Sequence, residues 1–185
     1  MTTPVMMILG FAVVVVALGY VLIYNRLVGD RNRVAQSWSD VDVQLQRRHE
    51  LIPRLVELVK GYAGYEKALL TSLVDLRTQG AQAAPAKRGD IEQGVHEGVH
   101  RLFALVEAYP DLKASENFQK LHEDLVDTEN QIQYARRYYN GAVNLYNNRI
   151  QKFPDLIVAN QFRFEPAQFF QLDDDAKAAA PGVAL

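Results

Sequence analysis

The stretch that decides the fold is residues 34–62, VAQSWSDVDVQLQRRHELIPRLVELVKGY. Its apolar side chains recur at alternating intervals of three and four residues, which is the period of one face of an α-helix. The spacing continues to Leu76, and a stripe of this length requires another helix to cover it. We therefore predict an all-α protein, an antiparallel helical bundle of long helices. The stripe consists of Val34, Trp38, Val41, Leu45, Ile52, Leu55, Val59, Tyr62, Leu69, Leu73 and Leu76.

Two further stripes with the same period follow along the chain. Residues 78–90 lack periodic apolar side chains, so we predict a loop there. The second helix should stop at Tyr109, because a residue before a proline disfavours the α conformation. Ser115 is the predicted N-cap of the third helix, which should end near Phe153. The two stripes are Val95, Val99, Leu102, Val106 and Tyr109, and then Phe118, Leu121, Leu125, Ile132, Ala135, Tyr139, Ala142 and Tyr146.

Pro53 lies inside the first stripe. Its ring removes a backbone donor and clashes with the carbonyl of His49, so we predict that the helix kinks or breaks there and restarts at Pro53.

Residues 5–24, VMMILGFAVVVVALGYVLIY, carry no charge and are long enough to cross a bilayer core of about 30 Å. The apolar run is longer than that of a cleavable signal, so we predict an uncleaved anchor in contact with the lipid bilayer. Arg26, Arg31 and Arg33 follow the span while residues 1–4 carry no charged side chain. The positive-inside rule then predicts a single-pass protein whose bundle lies on the cytoplasmic side.

The predicted domains are an anchor at 1–25, a helical bundle at 26–172 and a disordered tail at 173–185, which has too few apolar residues to fold. Aromatic and aliphatic side chains near Pro154 and Pro166 are predicted to cap the bundle: Leu156, Ile157, Phe162, Phe164, Phe169 and Phe170.

Charge and cysteine content exclude several classes of function. Lys and Arg number 20 against 22 Asp and Glu, so no general basic surface for nucleic acid is expected. The chain has no cysteine, which removes thiolate catalysis and cysteine-based metal sites. Glycine-rich phosphate loops and serine-hydrolase motifs are also missing from the sequence.

His96-Glu97-Gly98-Val99-His100 fits the H-E-x-x-H pattern, in which two histidines hold zinc and the glutamate acts as general base. The sequence offers no third ligand, and the motif interleaves with the apolar stripe at Val95 and Val99. We therefore predict no catalytic, metal or cofactor site, and keep a zinc-dependent membrane hydrolase as an alternative. His49 and His122 belong to no recognisable constellation.

Arg48 and Glu66 occupy positions in the first stripe where an unpaired buried charge would cost several kcal/mol. We predict that Arg47 or Arg48 pairs with Glu107 or Glu129. The alternative is an anionic docking surface formed by Arg47, Arg48, Arg136 and Arg137. Asn140, Asn144 and Asn147 form a polar strip that is expected to be solvated, with self-association as the alternative.

The chain resembles the LemA family. The first block of similarity comprises Tyr24-Asn25, Asn32-Arg33-Val34, Trp38, residues 43–48, Leu51-Ile52-Pro53, Leu55-Val56, residues 59–62 and Glu66. Further blocks are residues 107–114 with Asn117-Phe118, residues 129–132, residues 135–137, Tyr139-Asn140, Val143, Asn147, Ile150 and Phe153-Pro154. The similarity covers the chain from the anchor to about Phe170, outside the loop 79–90 and the tail beyond Leu172.

The resemblance implies an anchored antiparallel bundle in a family without an established catalytic activity and with links to membrane compartments, including magnetosome formation. It favours a scaffold or adaptor in the bacterial inner membrane whose partners are other envelope proteins or copies of itself, without nucleic acid or a small-molecule substrate. A self-assembling, membrane-shaping module is a further alternative.

Overall fold

The computed structural model of the protein describes residues 2–61, 67–83 and 85–170. Regular structure in these residues is entirely helical, which confirms the predicted fold class. The predictions about Tyr62, Glu66 and the tail at 173–185 lie outside the described residues. The helices are α1 (Thr2–Lys60), α2 (Lys67–Gln82), α3 (Pro85–Val106), α4 (Pro110–Lys113), α5 (Glu116–Ile150) and α6 (Asp155–Gln161).

The chain divides into two compact units, and α1 and α5 contribute residues to both. Residues 1–39 and 138–169 belong to the first, here called the anchor unit, and residues 40–137 and 170–185 belong to the second, the core unit.

The core unit is built on the predicted apolar stripes. Its buried side chains come from α1, α2, α3, α4 and α5, so the second half of α1 is covered by other helices as the pattern requires. Helices α2 and α3 approach so closely that a Cβ on Gly98 would lie 2.9 Å from Cδ1 of Leu73. The buried set is Leu51, Ile52, Leu55, Val56, Val59, Leu70, Leu73, Val95, Val99, Leu102, Val106, Leu112, Phe118, Leu121 and Leu125.

In the anchor unit, α1 and α5 pack in antiparallel directions. Asp30 forms a salt bridge with Arg149 at 2.5 Å, and eight residues further along α1 the ring of Trp38 contacts that of Tyr139 at 5.3 Å between centroids. Because the contacts move backward along α5 as they move forward along α1, the two helices are antiparallel.

An extended segment at residues 164–170 is held along α5 by side chains that bond its backbone. The hydroxyl of Tyr139 donates to the carbonyl of Gln168 at 2.8 Å, and that of Tyr146 donates to the carbonyl of Glu165 at 2.9 Å. Asn147 donates to the Ala167 carbonyl and accepts from the Ala167 amide, both at 2.9 Å. These bonds satisfy the backbone of a segment that lacks a regular partner.

The prediction of a loop at residues 78–90 is wrong for most of its length. Helix α2 continues to Gln82 and α3 begins at Pro85. The Ala and Gln residues that obscured the apolar period are themselves good helix formers, and proline is well tolerated in the first turn of a helix.

The predicted break at Pro53 is wrong, since α1 is helical on both sides of it, up to Lys60. A kink at Pro53 stays a prediction. Pro53 leaves the carbonyl of His49 without its usual amide donor. Nε of Arg77 in α2 donates to that carbonyl at 3.1 Å. A tertiary hydrogen bond thus replaces the one that proline removes. The first helix ends instead at Lys60, and the next residue, Gly61, is a poor helix former.

The remaining helix ends lie close to their predicted places. Ser115 caps α5, since its Oγ accepts from the Phe118 amide at 3.3 Å, as predicted. Helix α3 ends at Val106, three residues before the predicted end at Tyr109. The amide of Tyr109 bonds the carbonyl of Val106 at 2.9 Å, a tighter i to i+3 turn that prepares the chain for Pro110.

Candidate functional site

The first candidate functional region is the apolar part of α1. Among the described residues, one helix is long and apolar enough to cross a membrane, and the most apolar window of that helix has none of its residues buried. Its large side chains are half to three-quarters exposed, for example Phe11 at 72% and Leu22 at 69%. An uninterrupted apolar helix surface of this kind is suited to lipid, because in water it would be a contiguous exposed apolar patch.

The second region is a buried cluster of charged side chains in the core unit, here called the charge cluster: Arg48, His49, Glu92, His96 and Glu129. Arg48 is 2% exposed and Glu92 is fully buried. Nη2 of Arg48 contacts Oε2 of Glu92 and donates to the Glu92 backbone carbonyl at 3.2 Å. Nη1 of Arg48 donates to Oε2 of Glu129 at 2.9 Å. One guanidinium on α1 therefore joins carboxylates on α3 and α5.

Two imidazoles complete the charge cluster. Nε2 of His49 lies 2.9 Å from Oε1 of Glu92, and Nδ1 of His96 lies 3.1 Å from Oε1 of Glu129. Each imidazole therefore faces the carboxylate oxygen that Arg48 does not contact.

Gly80 of α2 leaves the space that the charge cluster needs. A Cβ at this position would lie 2.8 Å from Oε1 of Glu92 and 3.1 Å from Cε1 of His49. The carbonyl of Gly80 also accepts from Nε of Arg88 at 3.1 Å, and Arg88 contacts Asp42. Helix α2 thus packs directly against the Glu92 and His49 side chains of the cluster.

The environment favours the ionised form of both carboxyls. Burial opposes ionisation of Glu92, but the contact with His49 and the charge of Arg48 together outweigh it and lower its pKa. The same balance of burial against His96 and Arg48 lowers the pKa of Glu129 to about 2. Both groups are therefore carboxylates at neutral pH, and neither is poised to act as an acid or base near it.

The structure confirms that Arg48 pairs with Glu129, as predicted, and shows that the prediction of Glu107 is wrong. Glu107 lies past the end of α3, roughly four turns beyond Glu92, and pairs with Lys113. The principal partner, Glu92, was missed. It lies three residues before Val95 on the same helix face, so the periodic stripe extended backward by one step would have found it.

The H-E-x-x-H motif is divided between two faces of α3. The rings of His96 and His100 lie 4.4 Å apart, but Glu97 is half exposed and contacts Arg101 at 3.6 Å and Gln93 at 3.2 Å. Among the residues that the structure describes, no group of three or more His, Asp or Glu side chains could hold a metal ion. The hydrolase alternative thus gains no support from this part of the chain, and the absence of zinc stays a prediction.

The four arginines of the alternative docking surface do not share one surface. Arg48 is buried, and Arg136 is 9% exposed. Arg47 is 44% exposed and contacts Asp127 at 3.1 Å, while the guanidinium of Arg137 lies 4.8 Å from the centre of the Tyr134 ring.

The asparagines of the polar strip differ in their contacts. Asn147 holds the backbone of Ala167, whereas Asn144 accepts from Asn148 at 2.9 Å on the exposed side of α5. The expectation of solvation is therefore wrong for Asn147, because its side-chain amide bonds both the C=O and the N–H of Ala167.

Comparison with known proteins adds the family. The profile of the LemA family matches residues 37–185. Similar curated proteins are "Magnetosome protein MamQ 2" of Paramagnetospirillum magneticum, 27% identical, and "Magnetosome protein MamQ" of Magnetospirillum gryphiswaldense, 25% identical; each match covers 80% of this chain and 64% of the relative. "Protein LemA" of Metamycoplasma hominis is 23% identical, over 81% of this chain and 69% of the relative. The chain thus spans less than two thirds of the length of the MamQ relatives.

The profile starts at residue 37, after the first motifs of the resemblance, and includes the tail beyond residue 172, which those motifs had left out. A match over more than half of the sequence, with an all-helical structure carrying an apolar N-terminal helix, shows that this membrane-associated chain belongs to the LemA family.

Proposed function

We propose that this chain is a scaffold or adaptor, anchored in the bacterial inner membrane, that acts by binding other envelope proteins and not by catalysis. The observation that carries the proposal is that α1 is one helix from Thr2 to Lys60. It includes the exposed apolar span and also supplies the side chains around which the core unit packs. The same element can therefore tether the chain and organise its folded part.

The burial of the charge cluster supports a structural role. Arg48, His49 and Glu92 are at most 4% exposed, so a substrate has no access to them. Their pairing across α1, α3 and α5 instead fixes which helix faces meet, a role that buried polar groups fill in some proteins.

Helix α5 offers a surface for the partner. Tyr138 and Leu145 of the anchor unit lie on one face of the helix and are 60% and 58% exposed. Tyrosine is enriched in the contact surfaces of proteins because it combines large apolar area with a polar tip. We propose that another envelope protein packs on this stripe.

Photo-crosslinking in intact cells tests this function. A photoreactive amino acid is placed at Tyr138, and in a separate strain at Lys120, an exposed polar position on the same helix. We expect a discrete crosslinked product with one envelope protein at Tyr138 and none at Lys120, and Leu145→Asp should reduce its yield. No product at Tyr138, or equal products at both positions, would contradict the proposal.

We also propose that the folded units face the cytoplasm. Arg26, Arg31 and Arg33 follow the span, and a cationic flank is retained on the cytoplasmic side. Fusions of green fluorescent protein and of alkaline phosphatase to Leu185 test this orientation. Fluorescent cells with inactive phosphatase are expected, and the reverse pattern would refute it.

A further inference from the structure

The C-terminal part of the anchor unit exposes an apolar edge. Phe153 is 81% exposed, Ile157 56%, Phe162 50% and Leu156 38%. We call these four side chains the interfacial edge. Helix α6 uses other side chains for its own packing, since Val158 and Ala159 are each 1% exposed. The edge therefore keeps apolar area exposed that the packing of α6 does not cover.

The position of this edge along α1 is fixed by aromatic contacts. The ring of Phe162 lies 4.6 Å from that of Tyr24 and 6.1 Å from that of Tyr20, measured between centroids. The ring of Phe164 lies 5.9 Å from that of Tyr24. Tyr20 and Tyr24 end the uncharged run of α1, and tyrosine favours the boundary between lipid and water.

The rise of the helix gives the depth of these contacts. The residues from 5 to 24 span about 30 Å at about 1.5 Å per residue, and Tyr20 lies roughly 6 Å inside the end of that span. Phe162 touches Tyr20, whereas Arg149, just before α6, touches Asp30, which lies beyond the span. The chain from Arg149 to Phe162 therefore descends along α1 from the aqueous side to the membrane boundary.

The end of α6 holds Phe164 against α1 by its own backbone geometry. The amide of Phe164 donates to the carbonyl of Ala159 at 2.9 Å and that of Arg163 donates to the carbonyl of Asn160 at 3.3 Å, the two bonds of a Schellman motif. Arg163 takes the left-handed conformation, with φ of 53°. This turn directs the chain from α6 back to Tyr24.

We propose that the interfacial edge inserts into the headgroup region of the bilayer that α1 spans, so that the chain touches the membrane at a second place. The inference rests on the anchoring by α1 in the proposed function. The four apolar side chains replace water with lipid, while Lys152 and Arg163 next to them suit anionic headgroups. Contact at two places restricts rotation of the anchor unit about α1 and holds α5 at a set angle to the membrane.

Spin labels on single cysteines test the proposal in the full chain, which contains no natural cysteine. Ile157→Cys, Leu145→Cys and Val14→Cys are labelled and reconstituted in vesicles of phosphatidylcholine with phosphatidylglycerol. Ile157 and Leu145 are matched in exposure, at 56% and 58%, and Val14 at 55% marks the span. The accessibility of each label to oxygen and to a water-soluble nickel complex is then compared.

The expected oxygen-to-nickel ratio at Ile157 is several-fold higher than at Leu145 and closer to that at Val14. A ratio at Ile157 equal to that at Leu145, with Val14 in lipid, would overturn the second contact alone. Protection of Ile157 from both reagents would mean that protein covers the edge and would also overturn it. A water-exposed label at Val14 would refute the anchoring itself.

Discussion

Replacing Arg48 by methionine tests the role of the charge cluster. The substitution keeps an unbranched apolar stem and removes the guanidinium that contacts both Glu92 and Glu129. Glu92 is fully buried, so its carboxylate loses its closest counter-charge without gaining water. Breaking a buried pair in this way costs about 3–5 kcal/mol of unfolding free energy. A melting temperature lower by roughly 6–20 °C is expected for a domain of this size.

The unfolding free energy lost on Arg48→Met should depend on pH in a definite direction. In the natural chain the pKa values of Glu92 and Glu129 are lowered, that of Glu129 to about 2, so both contribute stability above their unfolded pKa that is lost as pH falls through the folded value. Without Arg48, burial should raise the pKa of Glu92, whose neutral form then favours folding at low pH. The difference between the two proteins should therefore shrink on going from neutral pH to about pH 4.

The assay is guanidinium or thermal unfolding in a mild detergent, followed by circular dichroism. Arg47→Met is the matched control, since this neighbouring side chain is 44% exposed and bridges Asp124 and Asp127 at the surface. It should cost about 0–1 kcal/mol. If Arg48→Met were no more costly than Arg47→Met, or if its cost grew on acidification, the reasoning would be refuted.

Gly80→Ala should lower the unfolding free energy by about 1–3 kcal/mol, because the added Cβ clashes with the charge cluster. Gly141→Ala on α5 should raise it by up to about 1 kcal/mol, because its Cβ meets open space. Equal effects of the two substitutions in the same unfolding assay would contradict both predictions. Arg77→Met should cost about 1–3 kcal/mol because a partly buried carbonyl loses its donor. In a double-mutant cycle Pro53→Ala should recover part of that cost by restoring an amide donor, and strict additivity would argue against the bond. Purified protein should retain no zinc after dialysis; about one zinc per chain by metal analysis, lost on His100→Ala, would be the opposing result.

The apolar core was predictable from the sequence because it repeats with the helix period. Val41, Leu45, Ile52, Leu55 and Val59 were all placed on the first stripe, and each is fully buried. The stripe fixes which face of α1 is covered. It also showed that Arg48 must be paired, since a charge on a covered face needs a partner.

Features that depend on distant parts of the chain were not predictable in this way. Arg77 of α2 donates to the carbonyl that Pro53 leaves without its usual amide donor, and no residue near Pro53 in the sequence indicates that donor. The bonds of Tyr139, Tyr146 and Asn147 to the backbone of residues 165–168 follow no sequence period, so the extended segment was missed. Side-chain to backbone bonds of this kind are specified by three-dimensional proximity alone.

Similarly, the apolar side chains near the C-terminus differ in how far protein covers them. They were predicted to cap the bundle together, yet Phe170 is 2% exposed while Ile157 and Phe162 are at least half exposed. Composition shows that a segment is apolar, but not whether protein or lipid covers it.

Extraction of cell membranes with alkaline carbonate tests the central claim, that the apolar part of α1 anchors the folded chain. The natural chain should stay with the membrane pellet. Val14→Arg combined with Val16→Arg should weaken insertion by about 5–7 kcal/mol and shift the protein to the soluble fraction. Both side chains are more than half exposed, so the change leaves the packing of the folded units intact. Release of the natural chain by carbonate, or equal retention of the double variant, would contradict the account.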